Sequence, residues 1–140
     1  MRCGKLERTL IIVKPDAVKR KLAGKILSFI EENDLRILGM RMMTLSEEDA
    51  GAFYAVHREK GFYENLVSYM TSGKCVPAVV EGEDAIDRVR GLCGNTDPSK
   101  AEKGSIRANY GLSITMNSIH ASDSPATARE EVGFFFSDLV

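Results

Sequence analysis

The sequence predicts an α/β chain of the α+β kind, built on a split β-α-β arrangement. Three observations carry this. An apolar run at 9–13, a helical pattern at 22–32 and a second apolar run at 35–45 follow one another with only short connections. Further apolar runs at 75–80 and 132–136 are separated from these by stretches with helical spacing. The length of 140 residues predicts a single domain over 1–140 that must hold all of them.

Residues 9–13, TLIIV, are β-branched and apolar, and read as a buried strand. Pro15 fixes the local backbone and has no N–H to donate, which leaves Lys14 at the strand's end. A lysine there is either a solvated terminus or a cation pointing into a cleft. In 22–32 the side chains of Leu22, Ile26, Phe29 and Ile30 share one helical face. Lys19, Arg20, Lys21 and Lys25 load its start with positive charge, against the helix dipole. That end is either solvated or faces an anion. Asn33-Asp34 turns the chain into 35–45, a second strand with Gly39 as a candidate bulge.

Ser46 caps the next helix, with the acid Asp49 three residues on. This helix carries Ala50, Phe53, Tyr54 and His57; a polar turn follows at once, so His57 reads as a surface histidine. Residues 62–70 form another helical piece. The aromatics at the turn between the two helices belong either to the core or to a base-stacking surface. Residues 75–80 are a strand in which Pro77 lacks a ladder donor, which argues for an edge, a bulge or an early position. A short helix at 83–90 brings Arg88 and Arg90. Across 91–116 the periodic signal stops, and loops of that length in compact domains are often functional. Ser124 with Pro125 starts a helix over 125–131, and 132–136 reads as a last strand.

Composition narrows the function classes. The chain is 44% hydrophobic and 28% charged with a formal net charge of −1, which supports neither a general nucleic-acid binder nor a membrane-surface protein. No apolar run has the length to span a bilayer, and charges come too early for a secretion signal. Three scattered cysteines, Cys3, Cys75 and Cys93, form no CxxC and fit a reducing cytosol.

His120 is one of two histidines and stands among Ser118, Ser122, Asp123 and Ser124. Imidazole is a nucleophile near neutral pH, and one ring nitrogen can attack while an acceptor holds the other. Lys14, Arg90 and Arg107, with Thr96 and Asn117, could cradle a polyphosphate. Phosphoryl transfer asks for neutralised equatorial oxygens and an aligned nucleophile. Neither GxxxxGK[ST] nor a kinase GxGxxG is present, so a nucleotide would bind without those glycine-rich cradles.

Lys14-Pro15-Asp16, Tyr54, Phe62, Tyr69-Met70 with Ser72-Gly73, Glu81-Gly82, Asn95-Thr96-Asp97-Pro98, Ser105-Ile106-Arg107 and Asn117-x-x-His120-x-Ser122-Asp123-Ser124 stand together in one chain. In these it closely resembles the nucleoside diphosphate kinase family, over nearly its whole length. The resemblance implies a ferredoxin-like, four-stranded antiparallel sheet covered by helices. It implies that His120 is the phosphorylated residue, and that Lys14, Tyr54, Arg90, Thr96, Arg107 and Asn117 surround phosphates, ribose and the histidine. Phe62 matches the aromatic that stacks on the base, Glu131 the carboxylate that orients the far ring nitrogen, and Ser122 its partner. Magnesium carried on nucleotide phosphates, nucleoside di- and triphosphates as substrates, and a tetramer or hexamer follow from the same resemblance. Lys21, Lys74, Pro77, Met116 and Ala121 depart from the family's usual residues and spare the catalytic positions. Two other readings compete: a non-catalytic ferredoxin-like nucleotide-binding or regulatory module, and an RNA-binding module. The second is disfavoured by the slight acidity and the missing aromatic ribonucleoprotein motif.

Overall fold

The computed structural model describes residues 4–140. Four strands, β1 (Leu6–Val13), β2 (Arg36–Met40), β3 (Val76–Glu83) and β4 (Ile119–Ala121), form one sheet in the order β2-β3-β1-β4. Every pairing is antiparallel. This is the ferredoxin-like sheet that the sequence implies. Seven α-helices surround it among the described residues: α1 (Pro15–Lys19), α2 (Ala23–Glu32), α3 (Glu47–Phe53), α4 (Tyr63–Met70), α5 (Ala85–Cys93), α6 (Ile106–Tyr110) and α7 (Pro125–Phe135).

Strand alternation sends β1 side chains to two separate cores. Ile11 and Val13 pack with Ile26 and Ile30 of α2 and Ala85 and Val89 of α5. Leu10 and Ile12 pack with Ala50 of α3, Met70 of α4 and Val132 and Phe135 of α7. A strand buried on both faces reads as a continuous apolar run, which is why β1 was legible. The same alternation places His120 opposite Ile12, on the α3–α7 face, while its neighbours Ile119 and Ala121 enter the other core.

Gly39 does sit at a bulge: the β2–β3 register shifts between Ile37 and Gly39. Pro77 lies at the second position of β3, an interior strand, opposite Ile12 of β1. On its other side the Pro77 carbonyl accepts the Arg41 N–H at 3.1 Å, just past the end of β2. The missing donor therefore falls where the ladder is already ending.

Several sequence expectations are corrected. Residues 132–136 are no strand: α7 runs on to Phe135. Its Ser124 cap accepts the Thr127 N–H, Pro125 opens the first turn, and Ala128, Val132 and Phe135 form a buried stripe at helical spacing. A short apolar run fits a strand and a buried helix equally well, and the cap decides. The fourth strand is instead Ile119–Ala121, which carries His120. The second strand stops at Met40, short of residue 45. The stretch 91–116 holds a 3-10 turn (Pro98–Lys100) and α6, capped by the Asp97 and Ser105 side chains. The cationic residues before α2 are exposed, and Arg20 is paired with Asp16.

Lys21 has φ +63°. A side chain in this left-handed region costs roughly 1–2 kcal/mol, which glycine avoids. Because glycine also loses more freedom on folding, Lys21→Gly is expected to stabilise the fold by about 0.5–1 kcal/mol. Urea unfolding checks it; an unchanged or lower midpoint would show that the strain is relieved elsewhere.

Candidate active site

His120 reaches the site because β4 is held from both ends. Lys14 donates its backbone N–H to the Ser118 carbonyl at 2.9 Å, and Ser122 donates to the Leu10 carbonyl at 3.1 Å. Between them Ser118 is fully buried with φ +79°, a strained turn that feeds the strand. The His120 ring lies in an aromatic bracket, with the Phe53 centroid at 5.4 Å and the Tyr54 centroid at 6.2 Å. His120 Nε2 is 2.8 Å from Glu131 Oε1, and the same oxygen accepts the Ser122 hydroxyl at 2.7 Å. A carboxylate oxygen accepts, so the hydrogen of the first bond sits on Nε2 and Nδ1 keeps its lone pair.

A cleft of about 510 Å³ opens over the ring. One wall comes from the α3–α4 segment: Tyr54, His57, Phe62 and Leu66. The other carries Lys14, Arg90, Thr96, Arg107 and Asn117. Asn117 ties this wall together, accepting from Lys14 Nζ at 2.8 Å and donating to the Thr96 carbonyl at 3.0 Å. Arg107 is buried, and its two terminal nitrogens donate to the carbonyls of Gly94 and Ile119, each at 2.8 Å. Gly94 has φ +83°, and a Cβ there would lie 2.4 Å from the Ser105 hydroxyl oxygen, so glycine is needed beneath the guanidinium.

Two buried donors on these walls have no protein partner: the Tyr54 hydroxyl and Arg107 Nε. Buried polar groups are ordinarily satisfied, so two unsatisfied ones beside a cleft point to a partner that the protein side chains do not supply. Burial, and then the Glu131 charge, push the Tyr54 phenol well above its usual range, which keeps it a donor. Burial, reinforced by the Arg107 charge, lowers the Lys14 ammonium to about 8.

The comparisons with known proteins converge on one family. The family model described as nucleoside diphosphate kinase matches residues 7–139. The chain belongs to the nucleoside diphosphate kinase family. Similar proteins include the nucleoside diphosphate kinases of Nitrosospira multiformis, 52% identical over 96% of this chain and 95% of that one, and of Burkholderia mallei, 53% identical over the same shares. Among solved structures, the Aquifex aeolicus nucleoside diphosphate kinase superposes with a TM-score of 0.94 at 49% identity, covering 96% of this chain and 98% of that one. A Halobacterium salinarum nucleoside diphosphate kinase, solved in complex with CDP, gives 0.92 at 41% identity over 96% of this chain and 90% of that one. The family is one of phosphotransferases that act on nucleotides.

Of the ten residues to which the resemblance gives a role in the site, eight line this cleft, whereas the motif residue Glu81 lies elsewhere, paired with Arg8. Glu131 and Ser122 are the two behind the ring. His57 departs from its surface reading: it is half-buried, lines the cleft, and packs its ring 5.4 Å from Phe62. Its Nδ1 is buried without a protein partner. Leu66, Ile114 and Thr115 also line the cleft and were not picked out from sequence. His57 follows Tyr54 by three positions, a spacing that could have placed both on one wall.

The low Lys14 value has two consequences of opposite sign. The folded chain holds fewer protons than the unfolded chain between about 8 and the ordinary 10.5, so this group adds stability as pH rises through that window. Polyphosphate binding instead favours the charged lysine. Nucleotide affinity is therefore expected to weaken as pH rises above about 8, with uptake of up to about one proton per bound ADP. Calorimetry in two buffers of different ionisation enthalpy measures the uptake. Lys14→Arg, which stays charged, should abolish it; equal uptake in both proteins would assign the proton elsewhere.

Proposed function

We propose that this chain, as one domain over 1–140, transfers the γ-phosphate of a nucleoside triphosphate to a nucleoside diphosphate through phosphorylated His120. The observation that carries the reading is the Nε2–Glu131 bond at 2.8 Å beneath a cleft whose far wall is cationic. The Nδ1 lone pair forms a bond to the γ-phosphorus as its bond to the bridging oxygen breaks. The diphosphate leaves with that electron pair, and the Nε2 hydrogen stays on the Glu131 bond. In the second half a terminal oxygen of another nucleoside diphosphate attacks the same phosphorus, and Nδ1 regains its lone pair.

Lys14, Arg90 and Arg107 neutralise the phosphate oxygens, and the unpartnered Tyr54 hydroxyl and Arg107 Nε supply donors in a partly desolvated site. Thr96 and Asn117 set the register of the polyphosphate and ribose against Lys14. Phe62 is 49% exposed at the mouth and offers a face for the base. Stacking reads no base edge, which fits broad base tolerance. The cleft lining holds one carboxylate, Asp123, and no group of three metal-ligating side chains occurs among the described residues. These residues fit magnesium that arrives on the nucleotide, where it would neutralise phosphate charge.

The test is brief mixing with γ-labelled ATP without acceptor. Label that survives alkali, is lost in acid and passes to added diphosphate is expected. Intersecting lines in two-substrate initial-rate plots would instead favour a ternary complex without a phosphoenzyme. A cytoplasmic, homo-oligomeric enzyme is part of the same reading. Among the described residues the outer edge of β2 has no strand partner, and no described helix is long and apolar enough to cross a membrane. Light scattering is expected to give four or six copies, and an active monomer of 15.4 kDa would defeat that part.

A further inference from the structure

The α3–α4 segment that forms the outer wall of the cleft is attached to the sheet in an uneven way. Its apolar side chains Ala50, Tyr54 and Met70 rest on Leu10, Ile12 and Val79. Such contacts are non-directional and allow sliding. Among the described residues, the only hydrogen bonds from 47–70 to a part of the chain remote in sequence are made by the Tyr69 hydroxyl. It donates to Asp16 Oδ1 and accepts the Asp16 backbone N–H at 2.8 Å.

Asp16 is 7% exposed and stands two residues after Lys14. Its other oxygen accepts the Ser118 hydroxyl at 3.4 Å and lies 3.6 Å from Arg20. Ser118 in turn sits between Asn117, which holds Lys14 Nζ, and the strand of His120. One end of this chain of bonds is the phosphate wall. The other is α4, whose first turn follows Phe62 and whose Leu66 also lines the cleft.

We propose that Tyr69 is a positioning residue. Its bond to Asp16 fixes the spacing between the base-stacking wall and the phosphate cradle, and so favours donors that span both. The inference rests on the phosphotransfer reading above, and it adds a distinction between ligands. A nucleoside triphosphate touches both walls and depends on their spacing; inorganic tripolyphosphate occupies only the cradle and does not.

The test compares second-order rate constants for single-turnover phosphorylation of the full chain by magnesium ATP and by magnesium tripolyphosphate. Tyr69→Phe keeps the ring and leaves Asp16 with Ser118 and Arg20. It is expected to lower the ATP constant by about ten- to a hundredfold, the scale of one hydrogen bond to a charged group, and the tripolyphosphate constant by less than about twofold. Asp16→Asn retains an oxygen for the Tyr69 hydroxyl and should hold the ratio of the two constants within about twofold of wild type. An unchanged ratio in Tyr69→Phe, or an equal fall with both donors, would overturn the proposal. A merely structural role, or a poorly folded variant, gives that equal fall. Wild-type protein that neither donor phosphorylates would sink the phosphotransfer reading itself, a different outcome from any of these.

Discussion

His120→Ala is expected to abolish phosphoenzyme formation and reduce transfer below detection, while ADP binding changes by less than about threefold. The separation follows from where the contacts lie. Affinity comes from the cationic wall and from the Phe62 face, none of which passes through the imidazole. The covalent step needs a ring nitrogen whose lone pair is kept free by an acceptor on the other nitrogen, and the Glu131 bond provides that at His120. His57 lines the same cavity, but burial and then the Lys60 charge lower its proton affinity, and no carboxylate hydrogen-bonds its ring. Measuring ADP affinity beside acid-labile label distinguishes the two losses. Label acquired at the wild-type rate would remove His120 from the reaction, and a matching loss of binding would make its role structural.

Glu131→Gln is the second large effect. The variant keeps the side chain's size and its hydrogen-bonding capacity to Ser122, but it removes the charge that fixes the hydrogen on Nε2. An amide can also present its N–H to the ring, which selects the wrong tautomer and puts the hydrogen on Nδ1. The first half-reaction is expected to slow by roughly ten- to a hundredfold, the usual scale for a lost orienting partner. Glu130 is the control. It is exposed on α7 and makes no hydrogen bond to the site, so Glu130→Gln should leave the rate within about twofold of wild type. Rapid quenching with labelled ATP reads both variants. Equal, small effects would return Glu131 to an ordinary helix-surface carboxylate.

Part of this architecture is visible in the sequence because its physics is local. β1 is buried on both faces, so Leu10 to Val13 is apolar without a break. α2 and α3 show their period or their cap, and Ser124-Pro125 marks the start of α7. Where α7 ends was not legible, because Val132 to Phe136 suits a strand as well as a helix and only the preceding turns decide. β4 was illegible for the opposite reason. Three residues between polar neighbours carry no periodic signal, and the strand exists because β1 offers an edge.

The site divides in the same manner. Lys14 at a strand end and His120 among small polar residues were open to chemical reading. Their convergence with Arg90, Thr96 and Arg107 depends on long-range topology, and it entered through family resemblance. His57 was misplaced because its polar successors look like surface, whereas the turn after α3 folds its ring back onto Phe62.

The strand that bears His120 is the shortest in the sheet and, among the described residues, has a strand neighbour on one side only. On its open side the Arg107 guanidinium bonds the Ile119 carbonyl, standing in for the strand that is absent. Opening of this corner exposes little apolar surface compared with opening the eight-residue pairing of β1 with β3. Heat should therefore silence the enzyme some degrees before the sheet melts, with amides of β4 exchanging by a local route while those of β1 wait for global unfolding. A polyphosphate engaged by Arg107 would brace the same corner, so substrate would protect activity more than it raises the melting temperature.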